Sequence, residues 1–421
     1  MEETGRLRGA LDSAPLVVKL AWRNIWRNLR RTVITLSAVT FGLASVIMFM
    51  GFTDGFHTQW IANYVRAYTG HIQVHARGYH DDPELTNAIK DPAGTLSIIE
   101  RMEGVDYLTT RVEAEGLAST AENSAGVLIR GIDLVREEKI THIRERVIRG
   151  GYLEPGEKGA LIGHKLSKKL DADVGEKIVL MTQDAVGTLS AELFRVKGVF
   201  KMGAVDVDSS LVLVTEQEAG KFTALDGGVT EIAIILKRPE DVGPLAAALE
   251  ERLGPLGLEV FKWQELMPAL KEMIELDDVF MYIILVIVLV VVAFGILNTM
   301  LMSIMERTRE LGIMMALGTR PSSVVALVLT EAFFIGAIGT VLGVTLGVLG
   351  NWAFALRGID LSRWSGAMEF FAALDPVVYP ETRPGVLLWA GVIVFATAFV
   401  SAIYPAVKAS RLNPVQAIHF V

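Results

Sequence analysis

Four uninterrupted apolar runs, at residues 32–53, 278–304, 321–352 and 386–407, constrain this chain more than any other feature. Each reaches the roughly 20 residues that a helix needs to cross the hydrocarbon of a bilayer, where the backbone must satisfy its own hydrogen bonds. With 51% hydrophobic and only 21% charged residues in 421, the chain is too apolar for a soluble protein of its size. The expected fold class is an α+β membrane protein with four transmembrane helices. The long stretch between the first two helices, residues 54–277, forms a large mixed α/β domain.

Orientation is read from lysine and arginine near the span ends. Lys19, Arg23, Arg27, Arg30 and Arg31 precede the first span, Arg307, Arg309 and Arg320 lie between the second and third, and Lys408 and Arg411 follow the fourth. If every span crosses once, all three basic segments share one side, which puts both termini and the 305–320 segment in the cytoplasm. Residues 54–277 and the loop 353–385 then face the periplasm. The large outer segment carries 25 Lys and Arg against 37 Asp and Glu, and that acidic balance speaks against a nucleic-acid partner. The first run is longer than a signal-peptide core and lacks a small-x-small cleavage site, so it is expected to remain as an anchor. Arg30-Arg31 is a poor twin-arginine signal because so apolar a segment follows it. The chain has no cysteine, so the outer domain uses no disulfides.

Ahead of the first span, residues 1–31 form an N-terminal segment in which Leu20, Trp22, Ile25, Trp26 and Leu29 fall largely on one helical face and Arg23 and Arg27 on the other. This is either an interfacial helix with tryptophans at headgroup depth or a simple extension of the span. Within 54–277, strands are expected at residues 70–76, 126–132, 177–181, 194–199, 210–215, 231–237 and 258–261, and helices at 95–103 and 239–253. The two flanks read as an α/β subdomain and the middle as an inserted, mostly β, subdomain. Residues 262–278 should continue as a helix into the second span.

Between the second and third spans, residues 305–320 combine Glu306, Arg307, Arg309 and Glu310 with Ile304, Leu311, Met314, Met315 and Leu317, which recur at helical spacing and would line one side. Such an amphipathic elbow suits a short helix at the membrane surface. Glu331 is the one carboxylate well inside an apolar run, and its position near the cytoplasmic end favours a structural or coupling role over an ion relay. In the third span Gly339, Gly343 and Gly347 make two successive GxxxG steps, either static packing within the chain or a moving or dimerising contact.

Catalytic signatures are missing. Residues 151–158 come near a phosphate loop, but Glu157 stands where a glycine must precede the lysine, and neither HExxH nor GxSxG occurs. The chain is therefore expected to be a non-enzyme, with no cofactor bound directly. His71, His75 and His80 are read as surface histidines on a strand and its following loop; residues four apart on a strand stand about 13 Å apart, too far to share one metal ion.

The elbow, the topology and the C-terminus together resemble the FtsX, MacB and LolC/LolE type of ABC transporter permease. Glu306, Arg307, Glu310, Leu311, Gly312, Ala316, Leu317 and Gly318 match that family's elbow motif, with Met315 where arginine is usual. The ending from Tyr404-Pro405 to Asn413-Pro414-Val415-Gln416-Ala417-Ile418 looks like the family's own. Within the family, Leu128-Ile129-Arg130-Gly131-Ile132-Asp133, Gly150-Gly151-Tyr152-Leu153 and the stretch from Ile162-Gly163 to Lys177-Ile178 are similar to the outer domains of LolC and LolE. The resemblance implies a permease subunit in the bacterial inner membrane, coupled by mechanotransmission to a separate ABC ATPase dimer that supplies ATP and Mg. It also implies a second permease chain, identical or paralogous, and release of lipoprotein cargo to a periplasmic carrier, with membrane lipids around the spans. The alternatives are a MacB-like exporter of small molecules or peptides and an FtsX-like regulator of a cell-wall hydrolase.

Overall fold

The computed structural model describes residues 2–225, 227–362 and 377–418, with the backbone alone for 2–14 and 418. Residues 363–376 of the expected 353–385 loop, and 419–421 of the tail, lie outside the described residues. The chain divides into two compact units, one holding Met1–His57, Ile274–Ile359 and Val378–Val421, the other Thr58–Met273 with Asp360–Val377.

Among the described residues, four helices are long and apolar enough to cross a membrane: Leu29–Thr69, Pro268–Glu306, Pro321–Arg357 and Pro384–Ser410. A separate helix, Glu2–Arg27, precedes the first span and is divided from it at Asn28. The apolar contacts run along a core of Val39, Leu43, Ile47, Val292, Ile296, Ala332, Val394 and Ala398. His57 and Asp277 join the first and second spans through a 2.9 Å contact between Nε2 and Oδ2.

The third span packs its glycines on the first. A Cβ at Gly339 would stand 2.8 Å from Val39 Cγ1, one at Gly343 2.9 Å from Leu43 Cβ, and one at Gly347 2.8 Å from Ile47 Cβ. Val39, Leu43 and Ile47 share the same four-residue spacing and are buried, so two matched stripes bring the backbones together. In this structure the stripe meets the first span of the same chain. Gly343→Val is expected to cost about 1–3 kcal/mol by forcing the helices apart. Thermal unfolding in detergent should show that loss, whereas Gly385→Ala, at a glycine with open space around it, should show none.

The second unit is built on ten strands: β1 (Ile72–Ala76), β2 (Val105–Ser119), β3 (Ser124–Ile132), β4 (Val147–Gly150), β5 (Gly159–Gly163), β6 (Lys177–Gln183), β7 (Leu189–Phe200), β8 (Leu211–Thr215), β9 (Glu231–Leu236) and β10 (Leu258–Lys262). Their order is β10-β1-β9-β2-β3-β8-β5-β7-β4, with β6 against β2 and β7. Helices Pro92–Ile99 and Val242–Leu253 contribute Ile99, Val242, Leu245 and Leu249 to the core over Ile72, Val74, Ile232 and Ile234. That core continues without a break to Ile178, Leu180, Phe194 and Val196. The first of these helices starts at Pro92 because Asp91 accepts a hydrogen bond from the Gly94 amide and proline is suited to the first turn.

Sequence reasoning missed β2, β4 and β5, and the middle region holds more helix than expected. Leu134–Thr141, His164–Leu170, Val205–Ser210 and Glu216–Thr223 are all helical. Each is eight residues or shorter, too short for a helical period to show.

The histidines require a correction. His71 and His75 are buried, because β1 lies between β9 and β10 and is covered on both faces. His71 Nδ1 accepts from the Leu236 amide, and burial pushes this imidazole down to about 4. His75 stacks on Tyr79 at 5.2 Å between ring centroids. His80 is exposed, as expected. Among the described residues no group of three or more acidic or histidine side chains is placed to hold a metal.

Arg111 of β2 is wholly buried and donates from Nη2 to Glu137 at 2.7 Å and from Nη1 to Glu231 at 2.9 Å. Arg130 of β3 donates to Glu113 and lies 5.1 Å over the Tyr68 ring. Burial works against the Arg111 charge, but the two carboxylates outweigh it and hold the guanidinium protonated.

Candidate functional site

The second span ends at Glu306, and Arg307, at φ −111° and ψ 11°, breaks the helix before a short elbow helix begins at Thr308 and runs to Ala316. Gly318, at φ +95°, closes that helix in a conformation that side chains avoid. The third span then starts on Pro321.

One face of the elbow is apolar and buried. Ile304 and Leu311 pack with Val324, Val328, Ala406 and Ala409, and Met314 and Met315 lie partly buried against them. Met315, where the family motif has arginine, therefore adds apolar contact here. Gly312 faces the helix Pro414–Ile418: a Cβ there would stand 2.6 Å from that of Ala417, so the close approach needs glycine. The C-terminal segment thus seats on the elbow.

Three charges of the elbow pair with other helices; Arg307 is buried, whereas Glu306 and Glu310 make their pairs at the surface. Arg307, only 8% exposed, donates from Nη1 to Glu331 Oε1 at 2.9 Å, and Asn24 donates to the same oxygen at 2.7 Å. Glu310 pairs with Arg27 at 2.9 Å and receives a longer bond from Arg307 Nε at 3.4 Å. The Arg27 hydrogen bond holds the Glu310 carboxyl below the usual carboxylate range. Glu306 receives Arg31 at 3.1 Å and Asn28 at 3.0 Å. Three elbow charges are therefore clasped to the first helix, the start of the first span and the third span. A carboxylate in an apolar helix is costly alone, and Glu331 is tolerated because two donors meet it.

What remains outward is Arg309, Ile313, Ala316, Leu317, Gly318 and Arg320. Leu317, expected on the buried side, is 84% exposed, because the helix ends one residue earlier and its apolar phase is lost. The elbow thus has an inner side that grips the membrane helices and an outer edge with three apolar and two cationic side chains.

The sequence expectation places Arg27 and Arg31 in the basic flank and assigns Asn24 and Asn28 no role. Their spacing of three, four and seven places them on one helical face, and that pattern was the available signal.

Two family models match the chain: an FtsX-like permease C-terminal model over residues 282–414, and a MacB-like periplasmic core domain over residues 32–252. The lipoprotein-releasing system transmembrane protein LolC of Neisseria meningitidis serogroup B is 25% identical over 403 residues, covering 92% of this chain and 94% of that protein. The macrolide export ATP-binding/permease protein MacB of Shigella boydii serotype 4 is 26% identical over 424 residues. That match takes in 95% of this chain and 60% of MacB. Among solved structures, the periplasmic region of MacB from Actinobacillus actinomycetemcomitans aligns with a TM-score of 0.35 at 12% identity, covering 51% of this chain and 96% of that one. With the MacB-like core model spanning more than half of the sequence and the FtsX-like model most of the remainder, the chain belongs to the FtsX/MacB/LolC family of ABC transporter permeases.

Proposed function

We propose that this permease is the membrane subunit of a lipoprotein-releasing ABC transporter. The observation that carries this reading is the likeness to LolC along nearly the whole of both chains. Both termini and the elbow lie in the cytoplasm, on the side of the three basic segments, and the sheet unit in the periplasm. ATP and Mg belong to a partner ATPase dimer, which presses on the outer edge of the elbow as it closes. The clasp Arg27–Glu310, Arg31–Glu306 and Arg307–Glu331 passes that displacement to the first and third spans. The second span leaves Phe280, Val286, Val290 and Phe294 exposed, an apolar face that suits a second permease chain, identical or paralogous. The acyl chains of a lipoprotein enter between the helices from the outer leaflet and leave toward a periplasmic carrier.

The experiment is purification from native membranes with identification of every partner. Triacylated lipoprotein in the complex is the expected result. An outer-membrane duct in its place would favour the MacB-like exporter, the second reading, which the match over 95% of the chain supports. A cell-wall hydrolase whose activity is lost without cargo accumulating would favour an FtsX-like regulator.

The elbow assignment has its own test. Leu317→Asp with Arg309→Glu alters only exposed residues, so it should leave the melting temperature unchanged and weaken ATPase association about tenfold or more. Unchanged association and stimulation of the ATPase would remove the elbow from the interface.

A further inference from the structure

Arg30 of the N-terminal flank has a place in the fold that the coupling clasp does not use up. Where the first span begins, an open cleft of about 700 Å³ lies between residues 27–34 and the last two turns of the second span. Such a volume is within the roughly 300–1,000 Å³ of ligand sites. Its basic wall is Arg27, Arg30 and Arg31, and its apolar wall includes Ile34 and Met302, 60% and 52% exposed. Arg27 is met by Glu310 and Arg31 by Glu306. Arg30 is exposed and has no ion-pair partner among the described residues, so the cleft carries an unmatched positive charge at the boundary between apolar and polar sequence.

We propose that this cleft binds the phosphate of an anionic phospholipid on Arg30, with Arg27 and Arg31 flanking the headgroup and an acyl chain lying on Ile34 and Met302. A guanidinium presents a fork of donors that fits two phosphate oxygens, and Arg30 has that fork free. The apolar wall distinguishes a lipid from a soluble anion, which has nothing to lay against it. The unmatched charge distinguishes a phosphatidylglycerol headgroup from phosphatidylcholine, whose own ammonium cancels its phosphate. The proposal is independent of the cargo assigned above, since it needs only the spans to lie in a bilayer.

The test is native mass spectrometry of the full-length protein in neutral detergent with equal mole fractions of phosphatidylglycerol and phosphatidylcholine, and separately with inorganic phosphate. Phosphatidylglycerol should be retained preferentially at a saturable site. Arg30→Gln should reduce that retention about fivefold, the effect of one arginine at an anionic surface, and Arg30→Lys should restore most of it. Neither variant should change the melting temperature, because Arg30 holds no pair within the fold. Equal retention of the two lipids, or retention by Arg30→Gln equal to that of the unaltered protein, would overturn the proposal. Inorganic phosphate competing as well as the lipid would reduce the cleft to a site for soluble anions and also overturn it. Loss of the bound lipid on pairing of two permease chains would assign the cleft to the subunit interface instead.

Discussion

Glu331→Ala is expected to lower the stability of the helical unit by roughly 3–5 kcal/mol, the usual cost of removing one partner from a buried ion pair. The substitution leaves the buried Arg307 with only its longer contact to the exposed Glu310, and leaves the Asn24 amide without its acceptor. Denaturation in detergent should show the loss. The double variant Glu331→Leu, Arg307→Met should recover most of it, because two apolar side chains replace two charges that must otherwise be desolvated. A single variant as stable as the unaltered protein would mean that water or Glu310 takes over the Arg307 charge and that its pair with Glu331 does not hold the helices together. The recovered double variant then separates stability from coupling. If the pair transmits movement from the elbow, this protein should fold and bind its ATPase yet fail to convert hydrolysis into work.

Arg111→Met is expected to cost the sheet unit a similar 3–5 kcal/mol, since Glu137 and Glu231 would then face each other in the interior with no cation between them. Hydrogen exchange of β2 and β9 in the full-length chain is the direct measurement, and unchanged protection would exclude this role. The same cluster predicts a pH dependence. Burial, followed by the neighbouring Glu113, pushes the Glu231 carboxyl up from 4.5 to about 7. An acid whose pKa is raised on folding binds more protons folded than unfolded between those two values, so its contribution to stability is present at low pH and lost as pH rises through the window. Glu231→Gln should flatten that slope. A slope of the opposite sign would mean that Arg111 dominates Glu231 and holds it ionised.

Much of the helical unit was legible because length and composition alone force an apolar run of that kind into a helix. The elbow was legible as amphipathic, and Glu331 as a carboxylate near enough to pair with an elbow arginine. The pairing of the elbow charges was not. A sequence shows Glu306, Arg307 and Glu310 as a charged turn, but neither that Arg307 alone is buried nor which helix each charge meets. Their partners Arg27 and Arg31 lie about 280 residues earlier, so only the folded chain brings them within 3.1 Å. Leu317 shows the converse: its helical phase pointed inward, and the end of the helix at Ala316 turned it out.

The sheet unit divides along the same physical line. β1 and β9 carry enough Ile and Val to be recognised in sequence, whereas β2 is interrupted by Arg111, Glu113 and Glu115 and so reads as polar. Of these only Arg111 is interior, because Glu137, 26 residues away, and Glu231, 120 residues away, fold onto it; Glu115 stays exposed. His71 and His75 follow the same rule, for strand alternation identifies which side chains share a face but not whether another element covers it.

What the sequence by itself determined was the set of membrane helices, the existence of an αβ unit between the first two, and the amphipathic elbow, since each depends on residues close together in the chain. Tertiary structure alone decided which charges pair and which remain available, and which glycines meet another helix. Those outcomes depend on desolvation and close packing between segments hundreds of residues apart, where each partner's environment is supplied by the other.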